Sequence, residues 1–160
     1  MLQIRILTLG KTKSSFIASG NKEYLKRLQP YARVELVTLP AAKIPPRPND
    51  ATITAIKDQE AQTILTALKP SKYLIALHED GQQFTSPQLA ILLEKLSTRG
   101  QSRLAFAIGG TLGLSPAVLQ QAGTVLSLSR FTFTHELARL ILLEQLYRAF
   151  KISANEPYHY

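Results

Sequence analysis

Short apolar runs recur along the chain, separated by longer stretches in which apolar residues return every three or four positions. Leu2–Thr8, Val34–Leu39, Tyr73–Leu77, Leu104–Ile108 and Thr124–Leu128 have the length and composition of strands covered on both faces. Ser14–Leu28, Asp50–Leu68, Pro87–Ser97, Pro116–Gln121 and His135–Lys151 carry the spacing of amphipathic helices. Strand and helix alternate from end to end, which predicts parallel βαβ units in an α/β fold, a mostly parallel sheet flanked by helices. At 160 residues the chain fits one domain, expected over 1–160.

Punctuation between these segments is legible. Ser86-Pro87 and Ser115-Pro116 each place a capping hydroxyl before a proline, where a missing N–H is no loss. "PAAKIPPRPND", residues 40–50, reads as a proline-rich loop closed by Asn49 or Asp50 as the next cap. The last helix, "ELARLILLEQLYRAF", spreads Leu137, Leu140, Ile141, Leu142, Leu143, Leu146, Tyr147 and Phe150 over more than the ~100° arc that one buried face requires. A second covered surface follows, and a twofold partner is the expected cover, with a central core helix as the alternative.

Composition narrows the function. There is no cysteine, so disulfides and thiolate–zinc sites are excluded, which suits a cytoplasmic protein. No apolar run approaches the ~20 residues of a membrane helix, and "MLQIRILTLG" reads as a first strand rather than a leader. The net charge is +8, and residues 1–47 hold nine Lys or Arg against only Glu23 and Glu35. A basic face of that kind attracts a polyanion, nucleic acid before membrane, or else serves as a solvated surface.

The chemistry concentrates in "IGGTLGLSP", residues 108–116, a glycine-rich turn between a strand and a helix. Its G-G-x-x-G spacing is not the dinucleotide fingerprint, and Phe131 to Thr134 stand where that fingerprint needs an acid. No Lys-Ser/Thr pair follows, so it is no P-loop either. Ser115 precedes Pro116 and Ala117 rather than completing a nucleophile elbow, so it reads as a cap. His78, His135 and His159 lack zinc-type spacing, and no metal is expected. His78, Glu79 and Asp80 read as an exposed corner ahead of a turn. What remains is a ligand held by backbone groups. "SLSRFTFTHE", residues 127–136, alternating small hydroxyls with aromatics, offers a second wall.

Taken with the terminal "PYHY", "AIGGTLGLSP" and "SLSRFTFTHELARLILLEQLYRAF" resemble the RlmH family, small SPOUT-superfamily methyltransferases acting on a pseudouridine of large-subunit ribosomal RNA. "LTLGKTKSSF", "EYLKRL", "KDQEAQTIL" and "YLIALHEDGQQFTSPQLA" extend the likeness along nearly the whole chain. The resemblance implies a C-terminal deep trefoil knot, a homodimer, and S-adenosylmethionine as cofactor. It places Leu77 beside the adenine, Gly109 and Gly110 under the ribose and methionine, and Ser129, Arg130, Phe131, Thr132, Phe133 and Thr134 around the base. It makes His159 a candidate base or orienter for pseudouridine N3, Tyr158 a residue that holds the nucleobase, and Arg148 a stabiliser of charge on the carbonyls beside N3. The implied partner is ribosomal RNA in the assembled ribosome, at the helix 69 loop. Two positions depart from the family: Tyr160 stands where a basic residue is usual, and His78 where many relatives have an acid. The rival readings are a SPOUT enzyme with another RNA target and a basic RNA-binding module without cofactor.

Overall fold

The computed structural model describes residues 1–160. Five strands, β1 (Leu2–Leu9), β2 (Ala32–Leu39), β3 (Tyr73–Gln83), β4 (Arg103–Ile108) and β5 (Thr124–Ser127), form one sheet in the order β2-β1-β4-β3-β5. Every pairing is parallel, as the alternation of segments predicts. The connecting helices are α1 (Ser15–Leu28), α2 (Asp50–Ala67), α3 (Ser86–Thr98), α4 (Pro116–Gln121) and α5 (His135–Ser153).

Side chains alternate across the sheet because successive strand residues point to opposite faces. Ile4, Ile6, Ile75, Leu104 and Phe106 join one core with α1, α3 and α5. Leu7, Leu74, Ala76, Ala105 and Ala107 join another with α2 and α4. Small alanines on β4 let α4, with the fully buried Val118, approach the second face. Arg5 on β1 donates to the carbonyls of Ala67 and Lys69, closing the last turn of α2. Its charge is therefore tied into the fold, whereas Lys11, Lys13, Lys22, Lys26, Arg33, Lys43 and Arg47 are exposed.

α5 lies between α1 and α3 on the sheet. Leu142, Leu143 and Leu146 are fully buried, and Leu140 packs so tightly on Gly20 that a Cβ there would sit 2.8 Å from its methyl. α1 and α3 thus cover part of the broad apolar arc of α5, while Leu137, Leu140, Ile141, Tyr147 and Phe150 remain half-buried.

Two local expectations are corrected. Thr85, not Ser86, caps α3: its hydroxyl accepts from Gln88 N–H while the Gln88 side chain accepts from Thr85 N–H. Ser86 Oγ is free to reach α5, donating to Gln145 Oε1 at 2.6 Å. β3 also outruns Leu77. Pairing with β5 breaks after Leu77 and resumes at Gln82, so residues 78–81 bulge outward. Gly81 is required there, since a Cβ would meet the Val125 carbonyl oxygen at 2.7 Å. Asn49 caps α2 as expected, accepting from Thr52 N–H at 2.8 Å.

Candidate active site

A cavity of about 880 Å³ opens beyond the C-terminal ends of the central strands, where ligands of open parallel sheets gather. One wall follows β4: Ile108, Gly109, Gly110 and Thr111 to Leu114. This turn is closed by a bond from Gly113 N–H to the Gly110 carbonyl, 3.0 Å, with Gly113 in the left-handed region at φ 80°. Gly109 cannot carry a side chain, because a Cβ would stand 2.7 Å from the Gly113 carbonyl carbon. At Gly110 a Cβ would point away from the cavity, toward the Glu60 carboxylate at 3.4 Å.

A second wall follows β5. Leu128, Ser129, Phe131, Thr132, Phe133 and Thr134 line the cavity, and Arg130 does not, being exposed outside it. The Phe131 N–H donates to Ser129 Oγ at 2.9 Å, and Ser127 Oγ donates to the Ser129 carbonyl at 3.0 Å, which pins the turn. Leu77, His78 and Glu79 at the β3 bulge make a third wall. Leu77, Gly109, Gly110, Ser129 and Phe131 to Thr134, anticipated as cofactor residues, therefore converge on one space.

Sequence reading missed a fourth wall. Ser14 enters from the end of the β1–α1 loop, Phe16 and Ile17 from the first turn of α1, Lys57 from α2, and Leu137 and Ala138 from the first turn of α5, beside His135 and Glu136 of the anticipated 127–136 stretch. The loop is tied to α5 by two residues. Glu136 accepts from the Lys13 and Ser14 N–H groups at 2.6 and 3.0 Å, and these bonds hold its carboxyl below the usual range. Arg139, only 2% exposed, donates to the Leu9 carbonyl at 2.9 Å and to Thr12 Oγ1 at 3.1 Å. Burial, with the Arg139 charge adding to it, pushes the His135 pKa down, so this imidazole is neutral at pH 7. Glu60 is buried under the glycine turn, accepts from Ala42 N–H at 3.3 Å, and has its carboxyl pushed up by burial. No group of three or more His, Cys, Asp or Glu is placed to hold a metal ion, and no helix is long and apolar enough to cross a membrane.

Arg148, Tyr158 and His159 form a separate cluster and do not line the cavity. The terminus is folded back on α5 by Glu156, which accepts from Tyr31 Oη and pairs with Lys151. Tyr158 packs edge-on against Tyr147 with ring centroids 4.8 Å apart, and its hydroxyl donates to Glu144 Oε1 at 3.1 Å. Arg148 lies 4.6 Å over the Tyr158 ring, donates to Glu144 at 3.0 Å, and reaches His159 Nδ1 at 3.4 Å. Burial and bonds to Tyr24 and Glu144 raise the Tyr158 pKa, so the phenol stays neutral, and Glu144 keeps Arg148 charged. The ten helical steps from Ala138 to Arg148 span about 15 Å.

Comparison with known proteins decides the family. A family model described as "Predicted SPOUT methyltransferase" matches residues 2–159. The chain belongs to the SPOUT methyltransferase family. It is 46% identical over 158 residues to the ribosomal RNA large subunit methyltransferase H of Bacillus pumilus, covering 99% of both chains. To the protein of the same name from Symbiobacterium thermophilum it is 47% identical over 160 residues, again covering 99% of each. The resemblance drawn from the C-terminal motifs is borne out at the level of this family and its H-type group.

Among solved structures, the fold matches a probable methyltransferase from Bordetella pertussis Tohama I, with TM-score 0.61, 15% identity, and 93% and 96% of the two chains covered. It also matches a probable methylase family protein from Haemophilus influenzae Rd KW20, with TM-score 0.55, 16% identity, and 95% and 66% covered. At these identities the likeness concerns the fold. For a SPOUT methyltransferase the cavity is suitably built. Apolar Leu77, Ile108, Leu128 and Phe133 can cover an adenine, and backbone groups of the two turns can bond its edge. No acidic cluster stands there to demand a metal.

Proposed function

We propose that this SPOUT methyltransferase uses S-adenosylmethionine to methylate large-subunit ribosomal RNA, at N3 of a pseudouridine in helix 69 of the 23S molecule within the assembled ribosome. The supporting observation is the glycine-walled cavity, in a chain matching the named ribosomal RNA large subunit methyltransferases H along its whole length. Leu77 is assigned to the adenine face. Gly109 and Gly110 lie under ribose and methionine, and Ser129 and Phe131 to Thr134 enclose the base. Arg130 is left to the RNA side, since it stands outside the wall. The turns at 108–113 and 127–134 are taken to be parts of the family's trefoil knot, within one methyltransferase domain over 1–160 working in the cytoplasm.

The cofactor supplies a methyl group on a sulfonium, already a strong electrophile. The chain must align the attacking N3 and accept its imide proton. His159 is exposed and can take or orient that proton. Tyr158 can hold the nucleobase by its ring or its hydroxyl. Arg148, kept charged by Glu144, is suited to offset negative charge gathering on the carbonyl oxygens beside N3. Arg148 sits about 15 Å along α5 from Ala138 at the cavity wall, with Tyr158 and His159 packed beside it. We therefore place a homodimer in which one protomer's tail meets its partner's cavity, with the exposed lysines and arginines receiving RNA phosphates.

The test is calorimetric titration with S-adenosylmethionine and S-adenosylhomocysteine, using NADH as the control, followed by methyl transfer to ribosomes. Binding of the first two alone, with transfer to pseudouridine, is expected. His159→Ala should lower turnover and leave cofactor binding intact. Equal loss of both would refute this division of roles.

A further inference from the structure

Two phenylalanines of the cavity are left in water: Phe16 is 72% exposed and Phe131 81%. Burying a phenylalanine stabilises a fold, and the core forgoes that at both positions. We infer that Phe16 is the platform on which the target RNA base stacks at the mouth of the cavity, whose wall also carries Phe131, placed above around the cofactor's base. The inference rests on the RNA methyltransferase reading above and adds a residue that reading does not use.

Three observations carry it. Both rings have firm mounts. Phe16 sits in the first turn of α1, next to the buried Ile17, on a loop fastened by Glu136 and Arg139. Phe131 is fixed through its N–H to Ser129 Oγ. Firm mounting suits a stacking plate, which must not lose freedom when the ligand arrives.

Each ring also follows exposed cations in the chain. Lys11 and Lys13 precede Phe16, and Arg130 precedes Phe131, all three exposed. Aromatic faces interleaved with basic residues serve single-stranded nucleic acid, the rings taking bases and the cations the backbone.

Finally, the cavity's 880 Å³ lies at the upper end of the ~300–1,000 Å³ of ligand pockets. That size suits a cofactor together with an extruded base, which an enzyme acting on a paired or stacked nucleotide must accommodate.

The experiment compares wild type with Phe16→Ala, Phe16→Leu and Phe16→Trp in three readouts. These are cofactor affinity by calorimetry, kcat/KM for methyl transfer to ribosomes, and mass by light scattering. Loss of one base–aromatic stack corresponds to a roughly 5- to 150-fold fall in kcat/KM. That fall is expected for Ala and for Leu, with Trp restoring the rate and with cofactor affinity and mass unchanged. Full activity of Phe16→Leu would overturn the inference, because apolar bulk would then suffice. A matching loss of cofactor affinity, or a shift to a smaller species, would overturn it in favour of a cofactor or subunit contact. A wild type that binds cofactor but leaves ribosomes unmethylated would overturn the underlying reading and this inference with it.

Discussion

Replacing Gly109 by alanine tests whether the glycine turn is shaped by its own backbone or by what it holds. The added Cβ would stand 2.7 Å from the Gly113 carbonyl carbon, 2.8 Å from Leu114 N and 2.9 Å from Gly113 Cα. Carbon pairs are at ease at ~3.5–4.0 Å, so the turn must open by about 0.8 Å. Every atom in the way is backbone, and no side chain can swing aside. Overpacking of this kind costs ~1–3 kcal/mol. At this chain length that lowers Tm by roughly 2–12 °C. The same movement shifts the wall of the cavity, and a misplacement near 1 Å can cost on the order of 100-fold in rate. Gly110→Ala is the internal control. Its φ is not in the left-handed region, and its Cβ would meet the Glu60 carboxylate at an ordinary 3.4 Å. Stability should stay within ~1 kcal/mol of wild type. Thermal melting and calorimetric titration with S-adenosylmethionine read both effects. A Gly109→Ala protein that melts and binds like wild type, or a Gly110→Ala protein that is the worse of the two, would refute the reasoning.

Two carboxyls should give opposite pH responses. The Glu136 carboxyl is held low by the Ser14 and Lys13 N–H groups. Its support of the β1–α1 loop is complete above the ordinary carboxylate pKa, ~4.3, and is lost as pH falls through the lower folded value. Amide shifts of Lys13 and Ser14 should follow that titration in wild type and stay flat in Glu136→Gln; parallel curves would reject the clamp. Glu60 is held high by burial, so the folded state keeps a proton that the unfolded chain has released. Its contribution therefore declines as pH rises from the ordinary range through the raised value. Glu60→Gln should remove that decline from a Tm-against-pH series, and an unchanged slope would count against it.

Much of the architecture is local and therefore legible in the sequence. β1 and β4 are buried on both faces, so they read as continuous apolar runs, and helices between them leave parallel pairing as the economical solution. Asn49 was readable as a cap because capping is a matter of a few bonds. The cap of α3 was misplaced by one residue, since a hydroxyl at Thr85 and one at Ser86 look alike until Gln88 reaches back. The bulge after Leu77 was invisible, because it depends on where β5 resumes its register with β3. α5 shows the limit most clearly. Its apolar arc told that more than one surface needed cover, and only packing could tell which part of it α1 and α3 cover.

The candidate site divides in the same way. Its glycine and hydroxyl-aromatic turns were visible, because a ligand approached by backbone leaves a mark in the residues of that turn. Phe16, Lys57 and Arg139 left no such mark. Arg139 binds a carbonyl 130 positions away in the chain, a relation no spacing rule contains. The sequence by itself determined the elements, the type of pairing and the two turns that face a ligand, all settled by neighbours in the chain. The order β2-β1-β4-β3-β5 was decided only by the tertiary structure. It brings the ends of β1, β4, β3 and β5 to one edge of the sheet, so that loops distant in sequence close around a single cavity.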